Sequence, residues 1–306
     1  MKFQRKGPWL ETIVSQEWNG LTIDQILRDV WNGPKKQIHQ LRMEKGILIN
    51  GDHAIWSKPL CLGDIIQIKF FSDEEFGVIP SYIDIDILFE DDHLLVVNKP
   101  SGLDTHPNEP GQSNTLANAV AFYLQSKGEF RKVIHIHRLD KDTTGAVLFA
   151  KHGFVGSILD RMLEERKIQR TYLALVSGLI KKKRGTINEP IGRDRHHPTK
   201  RRVSPTGQKA VTHYQVLKIF PKTNCSLIQC SLETGRTHQI RVHLSSIGFP
   251  LIGDHLYGEK TTLTRQALHA AKLAFVHPFT AEKVECHAPF LDNPAIFPPD
   301  SFQLMK

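Results

Sequence analysis

The constraint that most limits this chain is the order of its apolar patterns after residue 80. Short strand-like runs dominate, helical patterns are few, and the two do not alternate regularly. "IDILFEDDHLLVVNKP" reads as two strands around a turn at Asp91 and Asp92, closed by Pro100. "TLANAVAFYLQSKG" reads as a helix from about Thr115 to just before Gly128. "AVLFAK" is strand-like, and "VGSILDRMLEERKI" is an amphipathic helix. "RTYLALVSGLI", "AVTHYQVLKIF" and "CSLIQCSLE" are strands, whereas "HQIRVHLSSIG" is helical, with Ile240, Leu244 and Ile247 on one face. A doubly wound parallel sheet needs strands and helices in alternation. The pattern here predicts a mixed α+β fold.

Before residue 72 the pattern differs. "LTIDQILRDVW" has helical apolar spacing. "GPKKQIHQLRMEKG" predicts a second helix started by Pro34, with Ile38 and Leu41 inward and Lys35, Lys36, Arg42 and Lys45 outward. In "ILINGD", Asn50-Gly51 marks a hairpin turn, and "GDIIQIKF" alternates as a strand. A basic helix face beside a hairpin suits RNA docking. The expected division is a small unit over 12–72, a linker over 73–81 and a larger unit over 82–306.

The net charge of +8 favours a polyanionic partner. It is concentrated between Lys181 and Lys209, where ten Lys and Arg, among them Arg193, Arg195, Arg201 and Arg202, face only Glu189 and Asp194. Frequent Gly and Pro there predict basic loops or a hairpin. The sequence holds no run of eighteen apolar residues, so no membrane span is expected. The basic start lacks an apolar signal-peptide core. Four cysteines without a CxxC pair make no disulfide framework, which points to the cytoplasm. No GxxxxGK or GxGxxG loop is present.

Polar groups stand in apolar frames at four places: "HRLDKDTTG", Arg170-Thr171-Tyr172, "LETGRTHQIRVHL" and "RQALHAAKLAFVHP". His135 and His137 alternate on a strand-like segment, yet no second ligand pair completes a zinc site. No GxSxG elbow supports a serine hydrolase. A buried Asp140 near Arg241 is either a structural salt bridge or an oriented, charge-balanced catalytic carboxylate. The residues alone leave both open.

These motifs together resemble the RluA-type family of RNA pseudouridine synthases. "HRLDKDTTG" is similar to that family's signature around its catalytic aspartate, with Lys141 where arginine is usual and Thr144 where serine is common. The resemblance implies that Asp140 is the catalytic aspartate. It implies that Tyr172, in "TYLALVSG", is the active-site tyrosine, and that Arg241, in "GRTHQIRVHL", pairs with Asp140. Arg138 is the implied holder of the flipped-out nucleotide; Lys141, Thr144, Arg236 and His238 are further expected substrate contacts. "RQALHA" and "FVHP" resemble the C-terminal motif, so the likeness runs from Ile83 to Pro289. The first seventy residues resemble the alpha-L RNA-binding domain, without its usual Arg-Leu-Asp opening.

The implied fold is a mixed, largely antiparallel sheet flanked by helices and loops, behind a small α+β RNA-binding domain. The implied reaction is the isomerisation of uridine in RNA to pseudouridine, which needs no cofactor. The expected partner is RNA, ribosomal before transfer RNA, and the expected state is a monomer. Lys35, Lys36, Arg193, Arg195, Arg201 and Arg202 are the expected phosphate contacts. A non-catalytic RNA-binding protein is the rival. A methyltransferase would need a glycine loop and a nuclease clustered carboxylates; neither pattern occurs.

Overall fold

The computed structural model describes residues 3–258 and 263–305. The chain opens with β1 (Phe3–Lys6) and β2 (Trp9–Ile13), then α1 (Ile23–Gln25), which continues into a π-helical turn over Ile26–Val30. Thr22 and Gln25 start α1 as a reciprocal capping box. Next come α2 (Lys35–Met43), β3 (Ile47–Ile49), β4 (Asp52–His53) and β5 (Ile65–Lys69). They form an antiparallel sheet in the order β1-β2-β5-β3-β4. Asn50 and Gly51 both have positive φ, 53° and 89°, as a tight hairpin between β3 and β4 requires. Ile38 and Leu41 are buried under α2 as the spacing predicts, while β1 and β2 were not legible as strands.

After an irregular stretch the chain forms β6 (Asp86–Glu90), β7 (Leu94–Lys99), α3 (Leu116–Ser126), β8 (Ile134–His135), β9 (Thr144–Ala150) and α4 (Gly153–Glu164). Then follow β10 (Gln169–Ser177), β11 (Arg184–Ile187), β12 (Ile191–Arg193), β13 (Arg201–Val203), β14 (Thr212–Phe220) and β15 (Cys225–Leu232). The last elements are α5 (Gln239–Ser246), β16 (Leu268–Val276), β17 (Lys283–His287) and α6 (Ser301–Leu304). Ten strands share one sheet, ordered β11-β14-β15-β10-β16-β9-β7-β6, with β17 on β16 and β8 on β9. β9 and β16 pair in parallel; the other named pairings of this sheet are antiparallel. The expected mixed, largely antiparallel architecture is therefore present. β12 and β13 form a separate hairpin, where the basic segment was expected to place loops or a hairpin.

Both faces of the large sheet are covered at its centre. Along β7 and β9 every residue is buried, which explains their near-continuous apolar runs. Leu95, Val97, Val147 and Phe149 pack with α3 and α5. Leu94, Val96, Leu148 and Ala150 pack on the opposite face with α4 and with the core of the first sheet. An aromatic cluster joins the two sheets. The Trp31 ring lies 4.9 Å from Phe279 and 6.5 Å from Phe154, and Phe70 lies 4.7 Å from Phe154. Such pairs contribute about 0.5–1.5 kcal/mol each beyond area burial. One helical expectation needs correcting: Ile240 and Leu244 are buried, but Ile247 is the C-cap of α5 and is partly exposed, because the helix ends before its face is completed.

Candidate active site

Asp140 stands in the turn between β8 and β9, closed by a bond from the Thr143 amide to the Asp140 carbonyl. That turn is held from three directions. Leu139 and Thr105 exchange two hydrogen bonds of 3.1 Å through the Thr105 hydroxyl. Lys99, fully buried, donates to the carbonyls of Pro100, Leu103 and Lys141 at 3.0, 2.7 and 2.7 Å. Burial pushes the Lys99 ammonium down to about 7, against the pull of Asp142, Asp140 and Asp104. Three carbonyl acceptors use all three protons of the charged form. Finally, Gln266 donates to Thr143, and Arg265, clamped by Asp292 through two bonds of 2.7 and 2.6 Å, donates to Thr144.

Gly145 follows because the parallel pairing leaves no room for a side chain. Its φ is +113°, and a Cβ there would lie 2.3 Å from the Ala270 carbonyl oxygen on β16. The glycine of the signature is thus a packing requirement between β9, which follows the Asp140 turn, and the strand carrying the C-terminal motif.

Arg241 projects from α5. Its Nη1 donates to Asp140 Oδ2 at 3.1 Å, while Nε and Nη2 grip Asp254 at 2.8 and 2.9 Å. Asp254 is fully buried and also accepts the amides of Leu256 and Tyr257. Burial alone would lower the Arg241 pKa, but the Asp254 bonds and the Asp140 charge raise it above its ordinary value. Arg241 is therefore a fixed cation that orients Asp140. The loop before α5 is pinned by Gln239, which accepts from Thr234 and from the Arg236 amide and donates to Val211 and Thr212.

Tyr172 lies on β10 where its register with β16 shifts between Thr171 and Leu173. Such an irregularity re-aims a side chain. The phenol lines the same cavity as Asp140, of about 670 Å³. Burial raises the Tyr172 pKa, with Asp140 adding to the shift and Arg170 opposing it. Tyr172 is consequently a neutral phenol at pH 7.

Of the other expected contacts, Arg138, Arg236 and His238 line this cavity. Arg138 is exposed, and no side-chain bond ties it to the described residues. Beside it, His106 and His135 stack at 4.3 Å; burial lowers both pKa values, that of His135 to about 4. Thr144 corrects the sequence reading. It is buried, bonded to His269 at 2.7 Å and to Arg265 at 3.1 Å, and does not line the cavity; its hydroxyl braces the start of β9. Lys141 is exposed beyond the lining, and its carbonyl serves Lys99. Arg193, Arg195 and Arg202 are exposed around the β12–β13 hairpin, and Arg201 is half-buried; none lines the cavity. Lys35 and Lys36 are exposed on α2, likewise outside it.

The sequence reading missed Lys99, Asp254 and Tyr257. The first carried a signal, a lysine ending an apolar strand in "LLVVNKP"; the others stand in "GDHLYG", where a carboxylate follows a glycine held at φ +75°. No group of three or more His, Cys, Asp or Glu suited to a metal occurs among the described residues, and no helix there is long and apolar enough to cross a membrane.

Comparison with known proteins places this geometry in context. Residues 93–246 match the family profile described as RNA pseudouridylate synthase, and residues 10–66 match the RluD ribosomal pseudouridine synthase N-terminal domain. The chain is 48% identical to an uncharacterized RNA pseudouridine synthase, YhcT, of Bacillus subtilis, over 94% of this chain and 95% of that one. It is 44% identical to the ribosomal large subunit pseudouridine synthase D of Nitrosomonas europaea, over 94% and 86%. The solved structure of human RNA Pseudouridylate Synthase Domain Containing 1 superposes with a TM-score of 0.56 at 28% identity, covering 68% of this chain and 84% of that one.

Proposed function

Since the chain belongs to the RNA pseudouridylate synthase family, we propose that Asp140 is the catalytic carboxylate through which it isomerises uridine in ribosomal RNA to pseudouridine. The observation that carries this reading is the cavity itself. A carboxylate held by a doubly anchored arginine lines it together with a neutral phenol. In the reaction N1–C1′ breaks, C5–C1′ forms, one proton leaves C5 and one is gained at N1, so no redox partner is required. Asp140 serves either by attack at C1′ or by taking the 2′-proton. Arg241 holds its charge and direction in both, and Tyr172 stacks against the uracil as it turns.

The target base must leave its stack to reach Asp140, at a cost of a few kcal/mol. Arg138, exposed at the cavity and unbonded, holds the flipped nucleotide. Lys35 and Lys36 on α2, with Arg193, Arg195 and Arg202 at the hairpin, supply phosphate contacts that offset the cost. The unit built on the first sheet, whose strands begin at Phe3 rather than at the expected residue 12, is the RNA-binding part, 73–81 the linker and 82–306 the catalytic part of a cytoplasmic monomer.

Ribosomal RNA is favoured by the match of residues 10–66 and by the relatives named for the large subunit. The test is a pseudouridine map of total RNA from cells with and without the gene, with rescue by wild type or Asp140→Asn. One ribosomal position should vanish on deletion and return only with wild type. A lost site in transfer RNA would move the substrate, and full rescue by Asp140→Asn would remove Asp140 from the chemistry.

A further inference from the structure

We propose that His238 and Asp140 form a two-point seat for the 2′-hydroxyl of the flipped ribose, and that Tyr257 is the positioning residue that keeps the His238 imidazole as an Nε2–H donor. The inference rests on the assignment of Asp140 as the catalytic carboxylate.

The backbone supplies the first observation. His238 adopts φ 58° and ψ 22°, a left-handed conformation that a histidine enters at a cost. It occupies the N-cap of α5 yet its side chain makes no capping bond. Instead the ring is directed between two partners. Nδ1 lies 2.9 Å from the Tyr257 hydroxyl, and Nε2 lies 4.0 Å from Asp140 Oδ2.

Proton accounting then selects the tautomer. The Tyr257 oxygen already accepts the Arg201 amide at 2.7 Å. A phenol has one proton to give. Donated to Nδ1, it satisfies the hydroxyl and leaves the ring proton on Nε2, facing the Asp140 carboxylate. The opposite arrangement leaves the phenol proton without a partner and turns a lone pair of Nε2 toward a negative oxygen. Burial lowers the His238 pKa, so the ring is neutral at pH 7 and the choice is between these two forms. Tyr257 is itself fixed by the hydrogen bond its backbone N–H donates to Asp254 and by the Arg241 guanidinium 5.1 Å from its ring centre.

A gap of 4.0 Å is too long for a hydrogen bond between Nε2 and Oδ2. It fits one oxygen about 2.8 Å from each, which would see the two at an angle near 90°. That oxygen must accept from Nε2–H and donate to the carboxylate. Only a hydroxyl or water does both, and the hydroxyl adjoining C1′ of a ribonucleotide is the substrate group of that kind. The Arg201 amide ties this arrangement to β13 and hence to the basic hairpin.

Three measurements and one control test it. In the full-length protein, nitrogen-15 NMR of the His238 ring should show the Nε2–H tautomer, and Tyr257→Phe should give a mixture; a dominant Nδ1–H form in wild type overturns the proposal. In single-turnover assays, a substrate RNA carrying 2′-deoxyuridine at the target should react at least tenfold more slowly relative to its ribose counterpart with wild type than with His238→Asn. Asparagine tolerates the left-handed backbone but is too short to reach. An equal penalty in both enzymes overturns the seat. Tyr257→Phe should lower kcat about tenfold with RNA affinity unchanged; loss of affinity with kcat intact would assign Tyr257 to RNA docking instead. Asp140→Asn serves as the control: if it is active, the carboxylate assignment has failed, not the seat.

Discussion

Replacing Asp254 by asparagine removes one charge and changes almost no volume, so its consequences isolate the electrostatic grip on Arg241. The carboxylate is fully buried and takes four donors: Arg241 Nε and Nη2 at 2.8 and 2.9 Å, and the amides of Leu256 and Tyr257 at 3.0 and 3.1 Å. An asparagine keeps three of these if its oxygen replaces Oδ1. Its NH2 then lies where Oδ2 was, donor against donor with Arg241 Nε. Flipping the amide sets three donors against the NH2 and is worse. The loss is one charge-assisted bond, about 1.5–3 kcal/mol, plus a buried cation half-stripped of its partner, for a total of about 3–5 kcal/mol. Arg241 should retreat from the NH2 and carry Nη1 off Asp140, and displacements of about 1 Å cost on the order of a hundredfold in rate. Urea unfolding measures the first effect and single-turnover pseudouridine formation the second. A stability loss under about 1 kcal/mol, with a rate within twofold of wild type, would show that Asp254 does not orient Arg241.

Three further outcomes are expected. Trp31→Ala should destabilise the protein by about 3–5 kcal/mol in urea melts, because its ring contacts Phe3, Trp18, Phe70, Phe154 and Phe279; a cost near zero would mean the two sheets do not share a core. Lys35→Glu with Lys36→Glu should weaken RNA binding and flatten its dependence on log salt by roughly 2, one for each phosphate no longer neutralised; an unchanged slope removes α2 from the RNA interface. Glu90 is held at about 2: burial opposes this, but Lys127, Lys151 and Tyr123 bond its carboxylate. Its folded pKa lies below its unfolded one, so its contribution is complete above about pH 4.5 and declines toward pH 2. The urea midpoint should fall through that window in wild type and less steeply in Glu90→Gln.

The elements that sequence patterns revealed are those whose burial depends on local spacing. α3 announced itself through Thr115 and Gly128, and β14 and β15 through their apolar runs. Asp140, Tyr172 and Arg241 were legible through a family resemblance, and the structure brings them to one cavity. What stayed hidden depends on distant partners. Lys99 meets the carbonyl of Lys141 only after the sheet closes, and Arg241 meets Asp254 only after the chain turns back behind α5. Thr144 looked like a free hydroxyl because nothing nearby in sequence shows that His269 and Arg265 will take it. β1 and β2 escaped notice because "FQRK" and "WLETI" are short and charged, with half their residues facing outward.

The aromatic cluster has a consequence for how this architecture can be altered. Trp31 and Phe70 come from the first sheet's side, Phe154 and Phe279 from the other. Transplanting residues 1–72 onto a different synthase would leave Trp31 and Phe70 facing a surface never shaped for them. The recipient would need its own equivalents of Phe154 and Phe279, on α4 and after β16, before the graft could seat. Modularity visible in the sequence therefore ends at the rings: recombination can exchange these halves only along with the socket that receives them.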